Sequence, residues 1–375
     1  MAPGSGDVKV IMAAAQPQPV RLTQTSHPLR ILCFGAGAIG TYIGGSLALA
    51  GHPVVFLERP GVAGLLREKG LKLVLGGIEY RVASPQIVES LAEAFANNPI
   101  GFDAALVAVK SFDTADFAEA LRPYLDILPP LLSLQNGVDN EEVLARVVGK
   151  EQVIAGTVTS AIGRLGPGEI VLERLRGVGV TGGYPLSTSL VGALNEAGLN
   201  AQMYANGGSL KWSKMLTNLL ANATSAILDM TPAEIYAHPG LVRLEIQQIK
   251  EALHVMGGLG FSPVDLPGTP VKMLVWGIQW LPAPLLRPLL QKAIGGGRGG
   301  KMPSFHIDLH QGRGESEVRY LNGAVARHGG ASGIAAPVNR QLTEILEELT
   351  QGKIPIDTYR HAPRKLLAVI QTNSK

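Results

Sequence analysis

The first half of the chain alternates between short apolar runs and amphipathic segments. The runs RILCFG (30–35), PVVFLE (53–58), DAALVAVK (103–110) and LLSLQN (131–136) have the length and composition of buried strands. Segments with a helical period follow the first, third and fourth of them. This alternation predicts a parallel sheet covered by helices on both faces.

Three further segments complete the predicted sheet domain. Residues 72–82 predict a hairpin that turns at its two central glycines, and residues 153–174 predict a strand pair. A last strand near Ala201–Tyr204 is expected to close the sheet. From Ser209 to the end of the chain helical periods dominate, so the boundary between the two parts is predicted near Asn206–Gly208.

The predicted organisation is an α/β fold with two domains and an N-terminal extension. A length of 375 residues suits two cores rather than one. Residues 30–206 are expected to form the parallel-sheet domain, and residues 207–375 an all-α domain with an apolar insertion near residues 264–300. Residues 1–29 are expected to be a disordered extension or an over-long gene start with Met12 as initiator, and an organelle-targeting segment is the alternative.

One predicted helix of the second domain carries a polar stripe. In residues 211–226, Lys214, Asn218 and Asn222 recur every four residues and Ser225 joins them, so all fall on one side of a single helix. The other side carries apolar residues, namely Trp212, Met215, Leu216, Leu219, Leu220 and Ala226. Solvated helix faces favour Glu, Lys, Arg and Gln over Asn and Ser, and this segment contains no acid. The stripe is either an ordinary solvated face or a surface for a polar, anionic small molecule.

A glycine-rich turn joins the first predicted strand to the helix after it. The turn consists of Gly35, Ala36, Gly37, Ala38, Ile39 and Gly40. Its G-x-G-x-x-G spacing, in a strand–turn–helix context, is typical of dinucleotide-binding domains. Gly35 permits the tight turn, Gly37 lets the backbone approach a pyrophosphate, and Gly40 lets the helix pack on the sheet. The pattern therefore predicts a Rossmann-type NAD(P)-binding domain.

The end of the second predicted strand gives two conflicting signals about the cofactor. Glu58 could accept a hydrogen bond from a ribose 2′-hydroxyl, which favours NAD. Arg59, the next residue, could bind a 2′-phosphate, which favours NADP. From these residues alone both cofactors stay open.

Composition and charge argue against several classes of protein. The net charge is +3 with scattered Lys and Arg, which gives no sign of a nucleic-acid partner. Cys33 is the single cysteine, so an internal disulfide is excluded, and a reducing cytoplasm fits. The most apolar run, residues 273–286, is too short to span a membrane, and its Trp276–Trp280 part is expected to be a buried cap or a subunit contact. The expected partner is a small molecule, and a homodimer is left open.

Two other patterns each lack a required residue. Gly295–Met302 imitates G-x-x-x-x-G-K, but Met302 stands where a magnesium-binding Ser or Thr is needed, so a flexible loop is expected. His306 and His310 are four residues apart with Asp308 between them, which suits zinc, but no third strong ligand is identifiable. No metal site is therefore predicted.

Five segments together resemble, in order, the signature segments of the ketopantoate reductase (2-dehydropantoate 2-reductase) family. They are Gly35–Gly40, Val109–Ser111, Gln135–Gly137, Trp212–Asn222 and Ser316–Gly323. The likeness spans residues 30–351, and the apolar segment near Trp276 looks like an insertion. The resemblance implies NADPH-dependent reduction of 2-dehydropantoate to (R)-pantoate, a step toward pantothenate and coenzyme A.

The resemblance also implies roles for single residues. Lys214 matches the family's catalytic lysine, and Glu317 matches its second essential residue. Three asparagines match polar residues of the family's substrate cleft, namely Asn136, Asn218 and Asn222. Lys110 and Asn136 match residues beside the cofactor, and Arg59 matches the arginine at the 2′-phosphate. These roles agree with the chemistry, because a lysine ammonium can stabilise the charge that hydride transfer leaves on a ketone oxygen and can deliver the proton.

One position departs from the family pattern. A serine pair commonly precedes the glutamate, and its second serine contacts the substrate, whereas here Ser304 is followed by Phe305. Either Ser304 substitutes, or the substrate is another branched 2-oxo acid. A non-catalytic nicotinamide-sensing regulator is the alternative from a different class, with Trp276–Trp280 as its partner surface, and the presence of both Lys214 and Glu317 weighs against it.

Overall fold

The computed structural model describes residues 20–291, 301–312 and 314–373. Within them, a sheet-containing part is followed by a part built of helices. The last strand ends at Tyr204, and the first helix of the second part begins at Gly207. The predicted α/β class with a helical C-terminal part is confirmed.

Two sheets contain the strands of the described residues. The strands are β1 (Ile31–Phe34), β2 (Val54–Leu57), β3 (Leu71–Leu75), β4 (Ile78–Val82), β5 (Gln86–Val88), β6 (Ala104–Val107), β7 (Leu131–Ser133), β8 (Val153–Val158), β9 (Ala161–Gly166), β10 (Glu169–Arg174), β11 (Val178–Thr181) and β12 (Ala201–Tyr204). The main sheet has the order β12-β11-β8-β7-β6-β1-β2-β5, and the second has the order β4-β3-β10-β9. In the main sheet only the β8–β11 pair is antiparallel.

Helices cover the main sheet and form the C-terminal part. The helices of the first part are α1 (Ala38–Leu49), α2 (Pro60–Lys69), α3 (Leu91–Asn97), α4 (Thr114–Leu121), α5 (Asn140–Val148) and α6 (Ser187–Glu196). The second part contains α7 (Gly207–Leu219), α8 (Asn222–Leu228), α9 (Pro232–Ala237), α10 (Pro239–Gly258), α11 (Val271–Trp280), α12 (Ala283–Leu290), α13 (Ser304–His310), α14 (Asn322–Ala331), α15 (Pro337–Thr350) and α16 (Pro363–Asn373). Short 3-10 helices occupy Ser111–Asp113, Arg122–Tyr124, Lys150–Gln152, Glu317–Tyr320 and Ile356–Tyr359.

Both faces of the central strands are buried, as their continuous apolar runs predict. In β1, Leu32 and Phe34 pack into the core on one side of the sheet. Ile31 and Cys33 pack into the core on the other side. Cys33 is fully buried and burial raises the pKa of its thiol, so it is a packing residue.

Helix α1 lies between the two sheets, and two adjacent glycines allow the close approach. A Cβ atom on Gly44 would lie 2.7 Å from the ring of Phe56 on β2. A Cβ atom on Gly45 would lie 3.0 Å from the side chain of Leu73 on β3. A larger residue at either position would push against these side chains, so the two glycines allow α1 to pack closely against both sheets.

The second sheet is a feature that the strand pattern does not predict. The predicted hairpin at residues 72–82 is confirmed as β3 and β4. The predicted strand pair at residues 153–174 is correct only in part, because β8 joins the main sheet while β9 and β10 form a hairpin of their own. Strand β10 then pairs in parallel with β3, which brings two hairpins distant in sequence into one sheet.

Residues 20–29 are ordered against the first domain, although the sequence predicts disorder for them as part of residues 1–29. Val20 is buried, and the backbone N–H of Thr23 donates to the carbonyl of Glu196 at 2.8 Å. The rest of the predicted extension lies outside the described residues.

The apolar insertion presents its two tryptophans to solvent. Trp276 is 56% exposed and Trp280 is 72% exposed, so the prediction of a buried cap is wrong for them. Val275 and Ile278 on the opposite side of α11 are buried. Among the residues that the structure describes, no helix combines the length and the apolar character that a bilayer crossing needs. A loop is expected at Gly295–Met302, and the first six residues of that range, 295–300, lie outside the described residues.

Candidate active site

The candidate site, here named the cleft, lies where the ends of the main-sheet strands meet the helices of the second part. Lys110 follows β6 and Asn136 follows β7, at the edge where the glycine turn leaves β1. Helices α7 and α8 and the Glu317–Tyr320 helix face this edge from the other side. In parallel sheets the carboxyl ends of the strands are where ligands bind.

The glycine turn has the conformation that a bound dinucleotide requires. Gly35 has a φ of +91°, which favours glycine. A Cβ atom on Gly40 would lie 1.7 Å from the carbonyl oxygen of Gly35, so only glycine fits there. Gly37, at the start of α1, has no other atom within 4 Å of the position a Cβ would take, which leaves open space beside the helix N-terminus. The turn therefore fits a pyrophosphate group.

Glu58 and Arg59 point in different directions at the end of β2. One carboxylate oxygen of Glu58 accepts a hydrogen bond from the backbone N–H of Ala36 in the glycine turn. The other accepts from the backbone N–H of Arg59 at 3.2 Å. The side chain of Arg59 is 83% exposed, and its guanidinium lies 3.7 Å from Asp113. Glu58 is thus engaged by the backbone, while Arg59 is accessible to an anion.

An ionic cluster joins the two parts of the chain across the cleft. The ammonium of Lys110 lies 2.8 Å from Glu317 and 3.3 Å from Asp308. Burial alone would lower the pKa of Lys110, but the charges of Glu317 and Asp308 outweigh it and raise that pKa. The hydroxyl oxygen of Ser111 lies 3.4 Å from the second oxygen of Glu317. Glu317 is 5% exposed, so a buried carboxylate is held by partners from the sheet domain.

An amide pair spans the same cleft beside this cluster. The amide N–H of Asn218 donates to the side-chain oxygen of Asn136 at 3.1 Å. The backbone carbonyl of Asn136 accepts from Ser111 at 2.8 Å and from Asn140 at 2.5 Å, which fixes the loop after β7. Lys214 is half-buried on α7, one turn before Asn218 on the same side of the helix. The predicted neighbours Asn136, Lys214 and Asn218 therefore lie at one edge.

The polar stripe does not lie on one continuous helix, contrary to the sequence prediction. Helix α7 ends at Leu219 and α8 begins at Asn222, because Ala221 adopts the left-handed conformation with a φ of +53°. Ser225 is fully buried, so it takes no part in the cleft. The predicted apolar side of the segment is correct, since its six residues are all buried.

A buried carboxylate holds this break in place. Glu245 on α10 accepts from the backbone N–H of Ala221 at 2.7 Å, from the hydroxyl of Thr224 at 2.7 Å and from the amide of Gln248 at 2.7 Å. The side chain is fully buried, and burial raises its pKa to about 7 despite these hydrogen bonds. Glu245 thereby links α10 to the break between α7 and α8.

Asn222 fixes the start of α13 through both ends of its amide. Its oxygen accepts from the backbone N–H of Phe305 at 3.1 Å, and its nitrogen donates to the hydroxyl of Ser304 at 3.4 Å. Phe305 is fully buried in the helical core. The side chain of Phe305 is therefore packed away from solvent, and Ser304 is the residue whose hydroxyl lies beside Asn222. That Ser304 takes the place of the family's second serine stays a prediction.

Lys211 is a site-supporting residue that the sequence did not single out. Its ammonium is buried, donates to the carbonyl of Gln135 at 2.5 Å, and lies 2.8 Å from Glu141. It therefore ties α7 to the loop that carries Asn136. A lysine on the apolar side of the predicted helix is the signal that could have identified it.

Asp139 makes a second connection between the two parts. It lies 2.7 Å from Arg327 and 2.6 Å from His328, both on α14. The hydrogen bond to Asp139 raises the pKa of His328. Asp308, which the sequence suggested only as a metal ligand candidate, instead faces Lys110 in the cleft.

The parallel sheet, the helical C-terminal part and the glycine turn at the strand ends together are typical of a dinucleotide-dependent enzyme. The family model described as "Ketopantoate reductase PanE/ApbA" matches residues 31–182. The model described as "Ketopantoate reductase PanE/ApbA C terminal" matches residues 208–350. The chain belongs to the ketopantoate reductase family, and it is an oxidoreductase of that family.

Individual relatives agree with this assignment over nearly their whole length. The 2-dehydropantoate 2-reductase of Halobacterium salinarum is 27% identical over 338 residues, which cover 85% of this chain and 98% of that protein. The crystal structure of a PanE/ApbA family ketopantoate reductase from Ralstonia eutropha JMP134 superposes with a TM-score of 0.73 at 26% identity, covering 87% and 99% of the two chains. D-mandelate dehydrogenase with NADH and anilino(oxo)acetate shares the fold, with a TM-score of 0.70 at 22% identity over 86% of this chain and 99% of that one.

Proposed function

We propose that this protein reduces the ketone of 2-dehydropantoate to the hydroxyl of (R)-pantoate with NADPH. The observation that carries the proposal is the convergence at one cleft of a glycine turn, an amide pair and an ionic cluster from both parts of the chain. The relatives named 2-dehydropantoate 2-reductase support the choice of substrate.

Lys214 is proposed as the catalytic acid. When bound, the reduced nicotinamide supplies a hydride to the ketone carbon. Negative charge then develops on the ketone oxygen, and an ammonium within hydrogen-bond reach stabilises that charge and delivers the proton. Lys214 suits this task because it is half-buried on α7 next to the amide pair, where water screens its charge less than at the open surface.

The amides are proposed to hold the substrate without neutralising it. Asn136 and Asn218 contact each other through one hydrogen bond, so each keeps further donors or acceptors for the carboxylate and hydroxyl of the oxo acid. Asn222 and Ser304 form the next polar pair along the helices. Four such groups can fix the orientation of a small acid, which determines the face that receives the hydride.

Glu317 is proposed to accept a hydrogen bond from the substrate's hydroxyl group. Its two oxygens already contact Lys110 and Ser111, which hold the carboxylate in one orientation. An ionised carboxylate has about four acceptor sites, so it can accept a further hydrogen bond from a ligand. Lys110 is therefore a positioning residue for Glu317, and its own place after β6 puts it near the cofactor region.

NADPH is proposed over NADH on the geometry at the end of β2. Glu58, the group that would favour a ribose 2′-hydroxyl, is occupied by the backbone of the glycine turn. Arg59 is exposed and carries a guanidinium that can bind a 2′-phosphate through two parallel hydrogen bonds.

The test follows the loss of NADPH absorbance with purified protein and 2-dehydropantoate. Turnover is expected with NADPH, and Lys214→Ala is expected to lower kcat by about 10²-fold or more, as loss of a general acid does. Lys272→Ala removes an exposed lysine on α11 and is the matched control, for which unchanged turnover is expected.

Three outcomes would contradict parts of the proposal. Absence of turnover with either nicotinamide cofactor, while cofactor binding is retained, would favour a sensor over an enzyme. A panel of branched 2-oxo acids ranked by kcat/KM would reject the substrate if another acid were clearly preferred. Near-normal kcat in Lys214→Ala would show that this lysine does not supply the proton.

A further inference from the structure

Two histidines and an aspartate converge on the side of α13 away from Lys110. They are Asp229, which directly follows α8, and His306 and His310, one helical turn apart on α13. Each of them has a ligand atom, and these atoms all lie within 4.8 Å of one another. The sequence alone gives the two histidines but no third ligand, because Asp229 lies more than seventy positions earlier in the chain.

Both imidazoles approach the same carboxylate oxygen. Nε2 of His306 lies 2.7 Å from Oδ1 of Asp229, and Nε2 of His310 lies 4.0 Å from that oxygen. The second distance is too long for a hydrogen bond. The two rings face each other with centroids 4.1 Å apart, so an additional partner between the nitrogens and the oxygen would have to be small.

These distances are close to what a tetrahedral cation needs. Zinc binds imidazole nitrogen and carboxylate oxygen at about 2.0–2.2 Å, which separates neighbouring ligand atoms by roughly 3.3–3.5 Å. The observed 2.7 and 4.0 Å lie on either side of that value, so each histidine has to move by less than about 1 Å. Three protein ligands also leave a fourth position for water, as in open zinc sites.

The backbone and a neighbouring arginine hold the aspartate in position. Asp229 has a φ of +50°, in the left-handed region that Asp tolerates better than most residues. Its second oxygen, Oδ2, lies 3.0 Å from Nε of Arg360, which leaves Oδ1 for the histidines. Arg360 opposes a cation electrostatically, but its side chain is 55% exposed, so water screens that repulsion.

We propose that Asp229, His306 and His310 form a binding site for one divalent cation of the zinc type. The chemistry of the donors favours this class, since imidazole suits zinc whereas magnesium prefers oxygen ligands. Asp308 is not part of the site, because its carboxylate faces Lys110 in the cleft.

A cation at this site joins two elements that carry substrate-cleft residues at their other ends. Helix α8 begins with Asn222 and is followed by Asp229, and α13 runs from Ser304 to His310. A metal bond between the far ends of both helices would restrain the pair Asn222 and Ser304. The proposed site is thus a structural clip behind the cleft, and its existence does not depend on which oxo acid is reduced.

The test is calorimetric titration of tag-free, chelator-treated full-length protein with zinc chloride. Binding of one ion per chain is expected, with little binding of magnesium at the same concentration. His306→Ala, His310→Ala and Asp229→Asn should each weaken zinc binding by about 10-fold or more, because each removes one of three ligands. His254→Ala removes an exposed histidine on α10 and should leave zinc binding unchanged.

A second measurement separates loss of the site from loss of the fold. His310 is the most exposed of the three ligands, so His310→Ala is expected to keep the melting temperature of the metal-free protein. Zinc should then raise the melting temperature of the original chain and not that of His310→Ala. Absence of zinc binding to the original chain would overturn the proposal. Zinc binding that survives all three ligand substitutions would also overturn it and would indicate an adventitious ion only.

Discussion

Replacement of Glu245 by Gln tests the claim that a buried carboxylate sets the break between α7 and α8. The carboxylate is fully buried and accepts hydrogen bonds from Ala221, Thr224 and Gln248. Gln is close in size and cannot ionise. The substitution therefore removes the titration of this group while it disturbs the packing of α10 little.

The expected magnitude follows from the pKa of Glu245, which burial raises from 4.5 to about 7. Below the lower value both the folded and the unfolded chain keep the proton. Between the two values the unfolded chain ionises first, so the free energy of unfolding falls as the pH rises. At about 1.4 kcal/mol per pH unit, this group lowers the free energy of unfolding by about 3 kcal/mol between pH 4.5 and pH 7.

The assay is urea unfolding of the original chain and of Glu245→Gln at several pH values from about 5 to 8. The difference in unfolding free energy between the two proteins should change by about 3 kcal/mol over this range, in favour of the variant at high pH. Glu344→Gln, an exposed glutamate on α15, should show no such change. Parallel pH curves for the original chain and Glu245→Gln would refute the reasoning.

Three other predictions address the cleft. Gly40→Ala should abolish dinucleotide binding and lower the melting temperature, because its Cβ would lie 1.7 Å from the carbonyl oxygen of Gly35. The control Gly61→Ala, which has open space around its Cβ, should change neither the fluorescence titration with dinucleotide nor the melting temperature. Arg59→Ala should raise KM for NADPH by about 10-fold or more and leave KM for NADH unchanged, and equal effects on both would contradict a 2′-phosphate contact. Asp308→Asn should lower kcat/KM by about 10-fold, since one of two carboxylates leaves the ionic cluster, and unchanged kinetics would show that this carboxylate is dispensable.

Local patterns predict much of the sheet domain and its cofactor turn. The strand at Ile31–Phe34, the glycine turn and the helix at Ala38–Leu49 follow from periodicity and from glycine spacing, both of which act over a few residues. The hairpin at residues 72–82 follows from two glycines that both adopt positive φ. The pairing of β3 with β10 could not be predicted, because that contact depends on how both strands pack against α1 and not on the local sequence of either hairpin.

The features that define the cleft depend more on contacts between distant residues. The break at Ala221 lies in an alanine-rich segment with no helix-breaking residue, and its partner Glu245 is on another helix. Asp308 and Glu317 meet Lys110 from about two hundred positions away in the sequence. The polar stripe was recognisable from residue spacing, but its division between two helices was not.

The central claim is that the ammonium of Lys214 contacts the oxygen of the ketone that is reduced. The most direct measurement is a crystal structure of the complex with NADP⁺ and pantoate. The proposed mechanism predicts Nζ of Lys214 within about 3.2 Å of the substrate's C2 oxygen, with C2 facing the nicotinamide ring. A Lys214 side chain turned to solvent, with another group at that oxygen, would contradict it.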